Sequence, residues 1–214
     1  MKSGLRWRRG AERSHLGEAA ETMAETPSIM APLGRPMPTF TLPDASGTMH
    51  ASASIAGECG TLVVFLCNHC PYVVHVADEL GRIGADYADR GIGLVGITSN
   101  DVSKYPADAP SHMPAFAARH GLTFPYLYDE SQLVAQAFKA ACTPDFFLFD
   151  ASGSLVYRGQ LDDSRPGNDT PVTGTHLRAA LNALLAGGPM RVEQVPSLGC
   201  NIKWKQCTSR CGEH

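Results

Sequence analysis

The sequence predicts an α/β domain, a central mixed β-sheet with helices on both faces, carrying an N-terminal extension and a C-terminal tail. Three observations point there. Thr61 to Leu66 and Gly91 to Thr98 are aliphatic, β-branched runs without polar alternation, as expected of strands covered on both faces. Between them, apolar residues recur at three- and four-residue spacing, which makes a strand–helix–strand crossover. Further on, Asp145 to Asp150 and Ser154 to Leu161 flank the turn Ala151-Ser152-Gly153 and read as an antiparallel pair.

A length of 214 residues with 43% hydrophobic content suits one domain of ordinary size. Residues 1–29 read as a disordered extension, 30–189 as the domain and 190–214 as a cysteine-containing tail. The extension holds Arg6, Arg8, Arg9 and Arg13, but Glu12, Glu18, Glu21 and Glu25 follow instead of an apolar stretch. Neither a secretory signal nor a mitochondrial presequence fits that pattern, so a cytoplasmic protein is expected. The formal charge of −3 offers no basic face for nucleic acid or an anionic membrane. Leu62 to Cys67 is the longest apolar run and falls far short of the roughly 18 residues of a membrane span.

The elements follow in order. Pro38 to Pro43 alternates and then turns at Asp44-Ala45-Ser46-Gly47, predicting a short edge strand and hairpin-like entry. After the first buried strand, Val73, Val76, Ala77, Leu80, Ile83, Ala85 and Tyr87 form the apolar stripe of a helix of about four turns. Ser99 to Met113 reads as a long loop able to shape a groove, followed by a helix from Pro114 to His120. Phe124 to Tyr128 suggests a minor strand, Gln132 to Lys139 a helix, and Thr175 to Leu185 the closing amphipathic helix.

Seven cysteines, an odd number, argue against a structural disulfide framework and for redox, catalytic or metal-binding thiols. Cys67-Asn68-His69-Cys70-Pro71 lies where a strand becomes a helix. Disulfide exchange needs a thiolate, a resolving thiol and a means of stabilising negative sulfur, and a C-x-x-C at a helix N-terminus supplies all three. The first thiol is expected at the helix N-terminus, with the second one turn inside. Lowering its pKa from about 8.5 to about 6.5 raises its thiolate fraction at neutral pH from roughly 3% to roughly 75%, but nucleophilicity falls, so the net kinetic gain is only two- to threefold. A protonated His69 would favour the thiolate further. The competing reading makes these cysteines half of a zinc site, which needs a second Cys or His pair at suitable spacing.

These motifs resemble the thioredoxin superfamily, specifically its thioredoxin-like and peroxiredoxin-like (AhpC/TSA, redoxin) group, over roughly residues 32–186. The resemblance rests on Pro38 to Gly47, Cys67 to Val73, and Cys142-Thr143-Pro144 ahead of the Asp145 strand. It implies the thioredoxin fold, a cis bond at Thr143-Pro144, and a role for that pair in receiving substrate backbone opposite the cysteines. Cys142 would then lie near the active thiols, as a third redox thiol or a small buried hydrophobe. One departure matters: peroxiredoxins carry a supporting Arg on a later strand, whereas no Arg lies between Gly121 and Tyr157, leaving Arg158 and Arg165 as candidates.

The leading expectation is a thiol–disulfide oxidoreductase in which Cys67 attacks and Cys70 resolves, with Thr143, Pro144 and His69 contacting substrate. No cofactor and no metal are expected. The partners are a protein or small-molecule disulfide, or a peroxide, and a thiol reductant. The rivals are an antioxidant thiol peroxidase, with Cys70 attacking and Cys67 resolving, and a non-catalytic metal- or partner-binding module. In the tail, Cys200, Cys207, Cys211 and His214 have poor spacing for a zinc knuckle, and Cys200 is an accessory redox candidate. Trp204 is expected to pack on the domain while Lys203 and Lys205 stay solvated. Asp162 to Arg165 with Asn168 and Asp169 reads as a solvated loop, and His50, His75, His112, His120 and His176 show no ligand spacing.

Overall fold

The computed structural model describes residues 25–206; residues 1–24 and the tail residues Cys207, Cys211 and His214 lie outside that range. The elements are β1 (Glu25–Pro27), β2 (Thr41–Pro43), β3 (Met49–Ala51), α1 (Ser52–Ile55), β4 (Gly60–Phe65), α2 (Pro71–Ala88), β5 (Ile92–Thr98), α3 (Met113–His120), β6 (Tyr126–Tyr128), α4 (Leu133–Phe138), β7 (Cys142–Thr143), β8 (Asp145–Asp150), β9 (Leu155–Tyr157), α5 (Thr175–Leu185) and β10 (Leu198–Asn201). No described helix is long and apolar enough to cross a membrane.

The central sheet runs β6-β5-β4-β8-β9, with β4 parallel to β5 and antiparallel to β8. The two-residue period of β4 divides the core. Leu62, Val64 and Leu66 face α2 and α5, whereas Val63 and Phe65 face Phe138 of α4. Each fully buried aliphatic or aromatic side chain there contributes about 1.5–3 kcal/mol. The α2 stripe matches the predicted one except at Ala85, which is exposed. Gly84 takes the inward place, since a Cβ there would stand 2.8 Å from the Phe124 ring.

Within the segments read as extension and tail, Glu25–Pro27 and Leu198–Asn201 form strands paired to the domain. β10 lies antiparallel between β1 and β7, pairing Cys200 with Glu25 on one side and with Thr143 on the other. Ser28 continues that bond pattern through its amide to Ser197 O. Neither segment has the apolar periodicity that marks a strand, so their pairing is a tertiary result. Trp204 departs from the expected packing on the domain, remaining 41% exposed. The segment is held instead by backbone: Lys203 N donates to Asn100 Oδ1, Asp101 N donates to Lys203 O, and Lys205 N donates to Gln132 Oε1. Lys203 Nζ sits over the Tyr105 ring, and Lys205 Nζ donates to Glu130 O.

The Asp162 loop is solvated at Asp163, Asn168 and Asp169, as expected, but not at Asp162 and Ser164. Asp162 is buried and its carboxylate accepts the amides of Ser164, Thr173 and Gly174, fastening the loop to the start of α5.

Candidate active site

β4 delivers Cys67 one residue after Leu66, whose amide still bonds to Ile97 O. Pro71 is the first residue of α2, where its missing N–H costs no helical bond. Cys70 is therefore the N-cap, and Cys67 lies in the turn before it. This shifts the sequence-based expectation: the second cysteine, not the first, occupies the helix N-terminus. Both thiols are buried, at 1% and 0% exposure.

Thr143 and Pro144 face them across the sheet end, joined by a cis peptide bond as the resemblance implied. Thr143 touches both sulfurs, with Oγ1 at 3.4 Å from Cys67 Sγ and the Cys70 thiol donating to Thr143 O at 3.2 Å. The two thiols have unequal surroundings. Cys70 Sγ receives hydrogen bonds from the thiols of Cys200 and Cys67 and from the amides of Val73 and Cys200, which hold its pKa well below the ordinary thiol value. The Thr143 carbonyl opposes this, since it accepts only from the neutral thiol. Burial pushes Cys67 up, helped by its bond to Cys70 and by the Asp108 charge, with only the Thr143 hydroxyl favouring its thiolate. The negative charge of the pair thus favours Cys70.

The turn between the cysteines is fixed from the long loop. Asp108, wholly buried, accepts the amides of Asn68 at 2.8 Å and His69 at 3.2 Å through Oδ1. Its Oδ2 accepts Asn100 Nδ2 at 2.7 Å and lies 2.6 Å from His69 Nδ1. The carboxylate raises the His69 pKa above its ordinary value, and Tyr105 stacks on the ring at 5.6 Å between centroids. Asn68 Oδ1 accepts the Tyr126 hydroxyl. Asp108, Asn100 and Tyr126 were not singled out from the sequence. The loop forms two 3₁₀ turns, Pro106–Asp108 and Pro110–His112, and bounds a groove of about 420 Å³ with Asn68, Phe116 and Arg119.

The remaining candidates separate cleanly. Cys200 pairs with Thr143, so period-two alternation puts both on the face of the active cysteines, while Cys142 pairs with Asn201 and points the other way. Cys142 is buried, its thiol pushed up by desolvation and near Pro144 O at 3.5 Å; it packs as a small hydrophobe. Arg158 follows β9 and is wholly buried, bonding Asp145 at 3.3 Å, Lys139 O at 2.7 Å and Ser28 Oγ at 3.2 Å, and lying over the Phe147 ring. None of these partners is a thiol. Arg165 is engaged with Gln160 and with the carbonyls of Asp162 and Ser164.

Among the described residues, Cys67, His69 and Asp108 bring metal-ligating atoms within 4.8 Å of one another. His69 Nδ1 already lies 2.6 Å from Asp108 Oδ2, a contact that an ion would have to displace.

A family model described as Redoxin matches residues 32–177. An uncharacterized conserved protein from Geobacillus kaustophilus is similar at 50% identity, with 86% of this chain and 97% of that chain covered and a TM-score of 0.83. A hypothetical protein from Sinorhizobium meliloti 1021 follows at 46% identity, 84% and 98% coverage and a TM-score of 0.82. A thiol:disulfide interchange protein of the thioredoxin family from Chlorobium tepidum shares 19% identity over 73% of this chain and 99% of its own, at a TM-score of 0.55. No curated protein matches the sequence. The fold is thioredoxin-like.

Proposed function

Because the chain belongs to the redoxin family, with the model spanning residues 32–177, we propose that it is a thiol–disulfide oxidoreductase working through Cys67 and Cys70. The observation that carries the reading is the contact of both sulfurs with Thr143 beside the cis Thr143-Pro144 bond, at the start of α2.

In the proposed cycle the resting charge sits on Cys70, whose hydrogen bond to Cys67 gives the proton of the first thiol a place to go. Cys67 then attacks one sulfur of the substrate disulfide and expels the other as a thiolate. Cys70 gives its proton to that leaving group and attacks Cys67 Sγ, so a Cys67–Cys70 disulfide forms and the substrate leaves as one thiol and one thiolate, which takes a proton from water. An external thiol reductant restores the pair. Cys67 is taken as the attacker because Cys70 is enclosed by Thr143 O and the Cys200 strand. Thr143, Pro144 and His69 are the proposed substrate contacts, the groove beside Asn68 gives a partner room, and cysteine usage favours the cytoplasm.

One observation favours a second reading, thiol peroxidase. The stabilised thiolate is Cys70, the position that matches a peroxidatic cysteine, although Arg158 is committed elsewhere. The rate of Cys67–Cys70 disulfide formation by stoichiometric hydrogen peroxide, compared with exchange against a model disulfide, tests both. Fast exchange with a peroxide rate near that of a free thiolate supports the oxidoreductase. A peroxide rate orders of magnitude higher would replace it with the peroxidase.

A further inference from the structure

We propose that Cys200 is a third thiol of the redox centre, taking over the Cys67–Cys70 disulfide as a Cys70–Cys200 disulfide that fastens β10 across the site and frees Cys67. This deepens the Cys67–Cys70 reading and rests on it.

The order of sulfurs is the first argument. Cys70 is hydrogen-bonded by the thiols of both Cys67 and Cys200, so it is the sulfur common to the two contacts. All three are buried within one apolar cluster. Closing a thiol contact to a disulfide of about 2.05 Å asks for a shift on the order of 2 Å.

The second argument is that Cys200 is positioned and not merely nearby. Its strand is paired on both edges, by Glu25 and by Thr143. A Cβ on Gly199 would stand 2.1 Å from Thr143 O, so only glycine allows the backbone this approach. Beyond the strand, Ile202 N bonds Ala141 O and Lys203 bonds Asn100, whose side chain holds Asp108 and through it the Cys67–Cys70 turn. The same pairing turns Cys142 to the opposite face, which separates an accessory thiol from a packing one.

The step balances without an added oxidant. The Cys200 thiolate attacks Cys70 Sγ, the Cys70–Cys200 bond forms as the Cys67–Cys70 bond breaks, and Cys67 leaves as a thiolate that takes the Cys200 proton. Oxidation of Cys70 assists, since it removes the negative neighbour that chiefly holds the Cys200 proton in place. The product keeps the two-electron oxidation at a buried pair while Cys67 returns to its thiol form.

The test treats the reduced full chain with one equivalent of 2-hydroxyethyl disulfide, quenches with acid, alkylates free thiols and maps linkages by peptide mass spectrometry. The wild type is expected to give Cys67–Cys70 together with Cys70–Cys200 carrying alkylated Cys67. Cys67→Ser, which lacks the attacking thiol and the precursor disulfide, should give neither linkage and leave Cys70 and Cys200 alkylated, and Cys200→Ser should lose Cys67 labelling in the oxidised protein. A wild type with Cys67–Cys70 but quantitatively alkylated Cys200 overturns this inference and leaves the oxidoreductase standing. A wild type that forms neither linkage overturns both. Should Cys67→Ser fail to fold, the wild-type map decides.

Discussion

Asp108 Oδ1 lies 2.8 Å from the amide nitrogen of Asn68, and that bond ties the turn between the two cysteines to the loop after β5. Asp108 also receives the His69 amide and Asn100 Nδ2, so one buried carboxylate fixes the turn from three sides. Replacing it by Asn preserves shape but turns an amide N–H₂ toward one of these donors. Asp108→Asn is expected to cost about 1–3 kcal/mol in urea denaturation, the range for leaving buried hydrogen-bonding groups unsatisfied. An unchanged midpoint would mean the turn is held by Pro71 and β4 alone.

The His69–Asp108 contact also sets a pH dependence. The folded pKa of His69 is raised above the ordinary 6.5, first by its bond to Asp108 and against desolvation. The folded protein therefore binds this proton more tightly than the unfolded chain. The stabilisation is complete below the unfolded value and is lost as pH rises through the folded one. Compared with His69→Asn, the wild type should gain more stability at about pH 5.5 than at about pH 8.5. A difference that is flat, or grows with pH, would reverse the sign assigned to the pair. NMR titration of His69 in Asp108→Asn should show its pKa falling.

Much of this molecule was legible because its signals are local. The buried runs around Val63 and Val95 and the periodic stripe from Val73 to Tyr87 each register in a short window, and the C-x-x-C stands at their junction. What escaped is non-local. Asp108 sits in Pro106-Ala-Asp-Ala-Pro110, where nothing in the spacing links it to Asn68. Leu198 to Asn201 contains Gly and Asn and no alternation, so its strand exists only because β1 and β7 present open edges to it. The helix register around Cys70 differs from the expected one for a local reason: Pro71 is the first helical residue, which puts Cys70 at the cap.

Arg158 gives a prediction that separates structure from chemistry. Its guanidinium is wholly buried beside Asp145, which burial already pushes toward the neutral acid. Arg158→Ala strands that carboxylate and is expected to cost about 3–5 kcal/mol, measured by chemical denaturation. Arg158→Met combined with Asp145→Asn should cost less, since it removes charge from both partners. The protein that remains folded should react with hydrogen peroxide at the wild-type rate, because the partners of Arg158 are Asp145, Ser28 and Lys139 O. A selective loss of peroxide reactivity at retained stability would return Arg158 to a catalytic role.

Gly199 tests how the C-terminal strand governs access to the thiols. A methyl group there meets the Thr143 carbonyl oxygen at 2.1 Å, a backbone atom that cannot turn aside as a side-chain tip would. Gly199→Ala must therefore push β10 away from β7, and Cys200 moves with it. The central sheet takes no hydrogen bonds from β10, so its pairing β6-β5-β4-β8-β9 should survive. Cys67 and Cys70, buried under intact pairing, should then be alkylated by iodoacetamide about tenfold faster, the ratio that about 1.4 kcal/mol of lost docking energy produces. Cys142, on the opposite face of β7, should change less. Equal acceleration at all three cysteines would indicate loosening of the whole domain, and no acceleration would show that the thiols are shielded by the Asp108 loop instead of by the strand.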